Sequence, residues 1–353
     1  MGSAGRWLRT FFITGILCLI LWTAVVICID PFFHYHAPIN GFPYIVDDQV
    51  DMNPGLARHL EYDSVILGSS MVVNFNTDLF RDRLGLTTAK LPYNGAYPKD
   101  QSNIMSIIFD AKQDSVKRVF LGIDELNYSG DIQETKFPIT DYLYDKNVFN
   151  DVKYLFNKDV MLDYCVKPLF DRSESTQWNM IYPFWWNDEH YQKALVLMYY
   201  EPAQKSDGPG SSEEYIKAIG RNLDANIIPY IEEHPETTFT IFYPPYSILY
   251  WNDVCNRDEL RIVMDKFRYI SRRLLEYENV ELFFFSGQKD IICNLNNYAD
   301  YTHYSPKVCE YMVDCFADGE CRVTEENLDR EIDKLYELAL YYDYPAIWDD
   351  WNN

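Results

Sequence analysis

The strongest hydrophobic pattern lies near the N-terminus. Residues 10–29 are uncharged and almost all apolar. A helix rises about 1.5 Å per residue, so this stretch would cover the roughly 30 Å hydrocarbon core of a bilayer. We therefore predict a transmembrane helix at 10–29 that follows a short tail at 1–9.

The flanking charges predict the orientation of this helix. Arg6 and Arg9 precede it, and no basic residue follows closely. The positive-inside rule then makes the tail cytoplasmic and places everything after Asp30 outside the cell. A cleaved signal peptide is the alternative, but the apolar stretch is long and Asp30-Pro31 replaces a small-residue cleavage site. We expect a single-pass signal anchor in the plasma membrane.

Short apolar runs alternate with helical patterns over the rest of the chain. Predicted strands lie at 63–67, 88–91, 116–123, 237–243 and 280–285, and predicted helices at 76–84, 101–113, 212–233 and 258–278. Such alternation is typical of an α/β fold in which helices cover both faces of a parallel sheet. The expected architecture is a three-layer sandwich with a central parallel five-stranded sheet.

Several segments lie outside the alternation. Residues 30–60 are proline-rich and are expected to form a stalk or strap before an α/β domain at 61–320. Residues 130–205 are rich in aromatics and predict an insertion over one end of the sheet, where Trp185 and Trp186 could stack on sugar rings or pack as the insertion's own core. A C-terminal helical extension is expected at 321–353.

The composition of the chain argues against some classes of binding partner. The net charge of -23 argues against nucleic acid, because the phosphate backbone would be repelled. Six cysteines lie beyond the apolar segment, and three of them, Cys309, Cys315 and Cys321, follow His303 closely. In an exported domain they could form disulfides, one of which would fix that region, or remain buried thiols. No Cys/His spacing suggests a metal, and we predict neither metal nor cofactor.

Two separate motifs carry candidate chemistry. Ser70 ends a Gly-Ser-Ser turn directly after the first predicted strand, and Asp300 and His303 form an Asp-x-x-His motif near the C-terminus. A serine hydroxyl needs a neighbouring base to become a nucleophile, and that base needs an orienting group. One helical turn would put Asp300 and His303 on one side, with the imidazole between Asp300 and Ser70. Serine acyl-transfer chemistry is the predicted activity.

At these motifs the chain resembles the SGNH/GDSL hydrolase superfamily, over roughly residues 60–315. The resemblance implies an SGNH/flavodoxin-like fold with Ser70 as nucleophile, His303 as base and Asp300 as its orienting carboxylate. It also implies an oxyanion hole formed by the backbone N–H groups of Ser70 and Gly95.

The chain departs from the family's third block, Gly-x-Asn-Asp, whose Asn donates to the oxyanion. Here the third strand runs into Gly122-Ile123-Asp124-Glu125, and an ionised Asp124 only accepts hydrogen bonds. Asn94, Asn127 or Asn74 could replace the missing donor, or the hole could lack it. Asp124 and Tyr246, which end the third and fourth strands, are candidate substrate contacts.

The predicted membrane anchor makes the chain resemble one group within this superfamily. Membrane-tethered SGNH proteins, such as the D-alanyl transfer protein of lipoteichoic acid synthesis and the alginate O-acetylation proteins, act beside membrane-bound O-acyltransferases. By this resemblance we expect a serine O-acyltransferase or esterase of cell-surface polysaccharide or teichoic acid, with an acyltransferase partner. The alternative is a non-catalytic glycan-binding or scaffolding subunit of an envelope acylation complex.

Overall fold

The computed structural model describes residues 3–183 and 188–349. Its α-helices are α1 Ser3–Ile29, α2 Gln49–His59, α3 Thr77–Leu84, α4 Pro98–Lys112, α5 Asp141–Tyr144, α6 Val152–Leu155, α7 Lys167–Phe170, α8 Lys193–Tyr199, α9 Glu213–Asn226, α10 Ile228–Glu233, α11 Ile248–Asn256, α12 Leu260–Leu275, α13 Lys289–Ile292, α14 Pro306–Asp318, α15 Leu328–Tyr341 and α16 Ala346–Asp349. Its strands are β1 Ser64–Gly68, β2 Thr88–Pro92, β3 Arg118–Gly122, β4 Thr238–Tyr243, β5 Val280–Phe284 and β6 Arg322–Val323.

The six strands form one sheet in the order β2-β1-β3-β4-β5-β6. Strands β1 to β5 are parallel, and all five lie where the sequence predicts strands. The prediction of a five-stranded sheet is wrong by one strand, since β6 pairs antiparallel with the edge of β5. Two paired residues are too short a pattern to identify from the sequence.

The strands form because their residues fit a sheet that is covered on both faces. Every residue of β1 is buried, as are nearly all residues of the other parallel strands. Near-continuous apolar runs are typical of parallel strands with this burial.

The chain forms two compact units, which differ from the predicted division. The first comprises residues 1–60 and 137–181, and the second comprises 61–136 and 182–353. Most of the predicted aromatic insertion therefore clusters with the N-terminal segment. The sequence pattern gave no signal of this, because the grouping depends on contacts between distant segments.

The first unit contains the apolar helix and the segment expected to be a stalk. The most apolar 18-residue stretch of helix α1 has a mean hydropathy of 2.7, and the helix is long and apolar enough to cross a membrane. At its end the buried Asp30 carboxylate accepts hydrogen bonds from the backbone N–H groups of the next turn, 34–36, and from the Tyr154 hydroxyl. The segment 30–60 is not irregular throughout, since it contains α2 with Asp48 as its N-cap.

The second unit follows the predicted alternation with two corrections. The helix expected at 212–233 is broken into α9 and α10, because Pro229 lies in the first turn of α10 and cannot continue the hydrogen bonding of α9. The extension at 321–353 is not purely helical, since it begins with β6. All eight cysteines are free thiols.

Candidate active site

The direction of the strand connections switches at β1. Strand β1 lies between β2 and β3 in the sheet. The chain therefore goes to one side of β1 to form β2 and then returns to the other side of β1 to form β3. Ligands of open α/β sheets bind outside the carboxyl ends of strands at this kind of switch point. Ser70 follows β1 and Asp124 follows β3, so both lie at this edge.

The turn that carries Ser70 is tightly constrained. A side chain at Gly68 would bring its Cβ within 2.7 Å of Val72 Cγ1, so the turn needs glycine there. The Ser69 hydroxyl caps a short 3₁₀ turn at Ser70–Val72 by accepting from the Met71 N–H at 3.2 Å. Ser69 is thereby buried, whereas Ser70 remains partly exposed.

A second loop brings His303 to this turn. Asp300 Oδ1 accepts from the backbone N–H groups of Thr302 and His303, each at 2.7 Å, and an isolated bridge joins Tyr298 to Tyr304. The sequence spacing suggested a helical turn between Asp300 and His303. The structure instead has a carboxylate-capped loop, because Asp300 satisfies the backbone N–H groups itself.

Ser70, His303 and Asp300 form a continuous hydrogen-bonded line. His303 Nε2 lies 3.0 Å from Ser70 Oγ, and His303 Nδ1 lies 2.7 Å from Asp300 Oδ2. An ionised carboxylate only accepts hydrogen bonds, which assigns the proton to Nδ1 and leaves Nε2 to accept from the serine. Burial raises the pKa of Asp300, but the hydrogen bond and charge of His303 outweigh it and hold the pKa below its usual value.

Two side chains that the sequence analysis did not link brace the loops against each other. The Tyr304 hydroxyl donates to the Met71 carbonyl at 2.6 Å, and the Asn74 amide donates to the Tyr304 carbonyl at 3.0 Å. These contacts connect the residue after His303 to the residue after Ser70. Asn74, considered above as an oxyanion donor, is buried in this brace.

A buried lysine supports the same segment from the neighbouring strand. Lys90, on β2, is 1% exposed, and its ammonium donates to the carbonyls of Val73 and Phe75. Burial lowers the pKa of Lys90 to about 7. An isolated lysine in a strand gives no sequence signal of this role, because only the packing of β2 beside β1 brings it beneath the turn.

The expected oxyanion-hole loop lies beside the turn that carries Ser70. The Tyr93 N–H donates to the Gly68 carbonyl at 2.9 Å, which ties the loop after β2 to the end of β1. Gly95 adopts a left-handed φ of 66°, and a Cβ there would lie 3.0 Å from Lys136 Cε. Among the described residues, neither the Ser70 N–H nor the Gly95 N–H donates to a protein acceptor.

The asparagines considered as a third donor lie in different settings. Asn127 donates to the Ala96 carbonyl at 3.0 Å and so supports the loop. Asn94 is exposed on the same loop. Their roles as oxyanion donors stay predictions.

Asp124 and Tyr246 are neighbours at the carboxyl ends of β3 and β4. The Tyr246 hydroxyl donates to the Asp124 carboxylate, and both side chains are almost fully buried. Burial raises the pKa of Asp124 above its usual value, and the hydrogen bonds from Ser69 and Tyr246 and the charge of His303 only partly oppose this. The pair contacts the turn that carries Ser70 through Ser69, and its predicted contact with substrate stays a prediction.

Trp185 and Trp186 lie outside the described residues. The described part of the chain contains no cluster of three or more histidine, cysteine, aspartate or glutamate side chains arranged to hold a metal ion.

No family model, curated protein or solved structure matches this chain. The chemistry open to the site therefore follows from its residues. A serine hydroxyl that donates to an imidazole, which in turn donates to a carboxylate, is arranged for proton removal from the serine.

Proposed function

We propose that this chain is a membrane-anchored extracytoplasmic serine O-acyltransferase or esterase that acts on cell-surface polysaccharide or teichoic acid. The observation that carries the proposal is the line of contacts from Ser70 Oγ to His303 Nε2, 3.0 Å, and from His303 Nδ1 to Asp300 Oδ2, 2.7 Å. Hydrogen-bond reach of about 3 Å is what proton transfer from the nucleophile requires.

In the first half-reaction, Ser70 Oγ attacks the carbonyl carbon of an ester as its proton passes to His303 Nε2. Asp300 stabilises the imidazolium, since its carboxylate accepts the Nδ1–H bond. The oxyanion of the tetrahedral intermediate would be held by the N–H groups of Ser70 and Gly95. Collapse expels the donor alcohol, which takes the proton from His303 and leaves an acyl-serine.

In the second half-reaction, the acceptor attacks the acyl-serine with His303 as its base. A sugar hydroxyl gives transfer and water gives hydrolysis. The intermediate breaks down to the new ester or the free acid and restores Ser70. The acylated protein can be incubated with an oligosaccharide acceptor in water. The amounts of new ester and free acid then give the ratio of transfer to hydrolysis.

The substrate class and cellular setting follow from the resemblance and the anchor. The apolar α1, preceded by Arg6 and Arg9, supports a single span with a cytoplasmic N-terminus. The five parallel strands with the site at their carboxyl ends support the SGNH-like three-layer architecture. A membrane-bound O-acyltransferase is the proposed acyl donor partner.

A scaffolding or glycan-binding role is the second candidate, and one observation favours it. Asp124 occupies the place of the family's oxyanion asparagine, and a carboxylate there would oppose negative charge. Loss of one oxyanion donor costs about 100- to 1000-fold in rate. A protein that only binds glycan would tolerate this loss.

Fluorophosphonate labelling of the detergent-solubilised chain distinguishes the serine enzyme from the scaffolding or glycan-binding protein. The enzyme reading predicts a covalent adduct mapped by mass spectrometry to Ser70. The adduct should be absent in Ser70→Ala and retained in Ser206→Ala, an exposed serine distant in sequence that serves as the matched control. A folded wild-type protein that gains no adduct would support the scaffold instead.

A further inference from the structure

Two thiols lie together at the end of the helix that follows the His303 loop. Cys315 is in the last turn of α14, and Cys321 directly precedes β6. Their Sγ atoms are 3.9 Å apart. Of the three cysteines that cluster in the sequence after His303, Cys309 is instead fully buried earlier in the same helix.

The backbone folds back to create this pairing. Gly319 ends α14 in a left-handed conformation, φ 82°, and its N–H donates to the Cys315 carbonyl at 2.9 Å. Cys321 is also left-handed, φ 64°, and its carbonyl accepts from the Phe284 N–H at 3.0 Å. A non-glycine residue in this conformation is uncommon and is held here by the surrounding hydrogen bonds.

The local chemistry favours Cys321 as the attacking sulfur. The Cys315 thiol is aligned to donate to Cys321 Sγ, and the Tyr311 hydroxyl lies 3.2 Å from the same sulfur. The hydrogen bond from Cys315 lowers the pKa of Cys321, and it raises the pKa of Cys315. The thiolate is the reactive form of cysteine in disulfide exchange.

Cys321 is also accessible from a cavity. About 290 Å³ of open space is lined by Cys321 together with Phe284, Gln288 and Glu331 among others. Cys315, by contrast, is buried. An external reagent can therefore meet Cys321 first, with Cys315 behind it.

We propose that Cys315 and Cys321 are a disulfide-forming pair, oxidised by an external disulfide to a bond that ties the end of α14 to β6. The Cys321 thiolate attacks one sulfur of the donor disulfide, which forms a mixed disulfide and releases the other donor sulfur as a thiolate. The Cys315 thiolate then attacks the Cys321 sulfur and expels the second donor thiolate. The two cysteine protons end on the two released donor sulfurs, so the donor disulfide is reduced to two thiol groups.

The bond would act on the same element that follows the His303 loop. Helix α14 begins at Pro306, three residues after His303, and β6 is hydrogen-bonded to β5. In the extracytoplasmic location proposed above, on which this step rests, thiols meet an oxidising environment where such bonds persist. The proposal does not depend on the activity of Ser70.

The test uses the full chain in detergent, treated with oxidised glutathione, quenched in acid, unfolded and alkylated with N-ethylmaleimide. Trypsin cleavage after Lys307 and Arg322 releases one peptide, 308–322, that contains all three cysteines of this region. We expect Cys309 to be alkylated in this peptide and Cys315 and Cys321 to be joined. The peptide should then carry one N-ethylmaleimide group and weigh two hydrogens less than the same peptide with two free thiols. Prior reduction should restore three alkylated cysteines.

Variants assign the bond. Cys309→Ser is the matched control and should still form it, whereas Cys315→Ser should stop at a glutathione adduct on Cys321. The buried Cys309 should stay unmodified in that variant, which reports that the region is folded. The oxidised wild type should unfold at a higher temperature than the reduced one. Three alkylated cysteines after oxidation, a bond that includes Cys309, or an unchanged unfolding temperature would each overturn the proposal.

Discussion

Replacing Glu125 by glutamine should stabilise the folded protein above neutral pH. Glu125 follows β3 and is 1% exposed, and the Tyr250 hydroxyl donates to its carboxyl group at 3.4 Å. Burial raises the pKa of Glu125 to about 7, although the charge of Lys266 opposes the shift. Glutamine keeps an acceptor for Tyr250 and removes the ionisation.

The size of the effect follows from the two pKa values of Glu125. The folded state holds the proton up to about pH 7, whereas the unfolded chain releases it near 4.5, so stability falls as the pH rises between these values. The difference between the two pKa values of Glu125 corresponds to about 3 kcal/mol of folding free energy. The folded protein has lost all of this stabilisation once the pH is well above 7. The attraction of Lys266 is already contained in the folded pKa. We therefore expect Glu125→Gln to be more stable by about 3 kcal/mol at pH 8 and by under about 1 kcal/mol at pH 5.

Urea unfolding of the detergent-solubilised full chain, followed by tryptophan fluorescence at pH 5 and pH 8, measures this difference. Glu326→Gln is the matched control, since Glu326 is exposed and the same substitution there should change stability little. A Glu125→Gln protein that is less stable than wild type at pH 8 would refute the reasoning. So would a stabilisation of equal size at both pH values.

Three further substitutions test the site. Asp300→Asn should lower kcat for ester cleavage about 10,000-fold, because the amide would leave the imidazole in the wrong tautomer; near-normal turnover would remove Asp300 from the mechanism. Asp124→Asn should preserve or raise cleavage of a chromogenic ester, since an amide can donate where a carboxylate only accepts; a collapse of activity in a folded protein would show that the carboxylate is needed. Tyr304→Phe leaves the Met71 carbonyl without its 2.6 Å donor and should cost about 1–3 kcal/mol in urea unfolding; an unchanged free energy would show that this brace carries no stability.

Local pattern was sufficient for most secondary structure. The apolar run of α1 and the five short β-branched and aromatic runs appear in the structure as a helix and five parallel strands. Asn76 caps α3 as its side chain predicts, by accepting from the Asp78 N–H at 2.9 Å. These features follow from hydrophobic periodicity and capping chemistry, which act over a few residues.

Features that depend on distant contacts could not be predicted from the sequence. The edge strand β6 exists only because β5 offers an unpaired side, and the first unit assembles segments separated by more than 70 residues. Lys90 is an ordinary residue in the sequence and becomes a buried donor only where β2 packs beside β1.

The candidate site also combines features that the sequence predicts with features that only the tertiary structure shows. The sequence by itself identified Ser70, Asp300 and His303 as residue types suited to nucleophile, orienting carboxylate and base. Only the tertiary structure decided that Ser70 and His303, 233 residues apart, come within hydrogen-bond reach, and that Asp124 and Tyr246 are bonded to each other. The physical reason is that side-chain chemistry is encoded locally, whereas distances between loops are set by the packing of the strands that end in them.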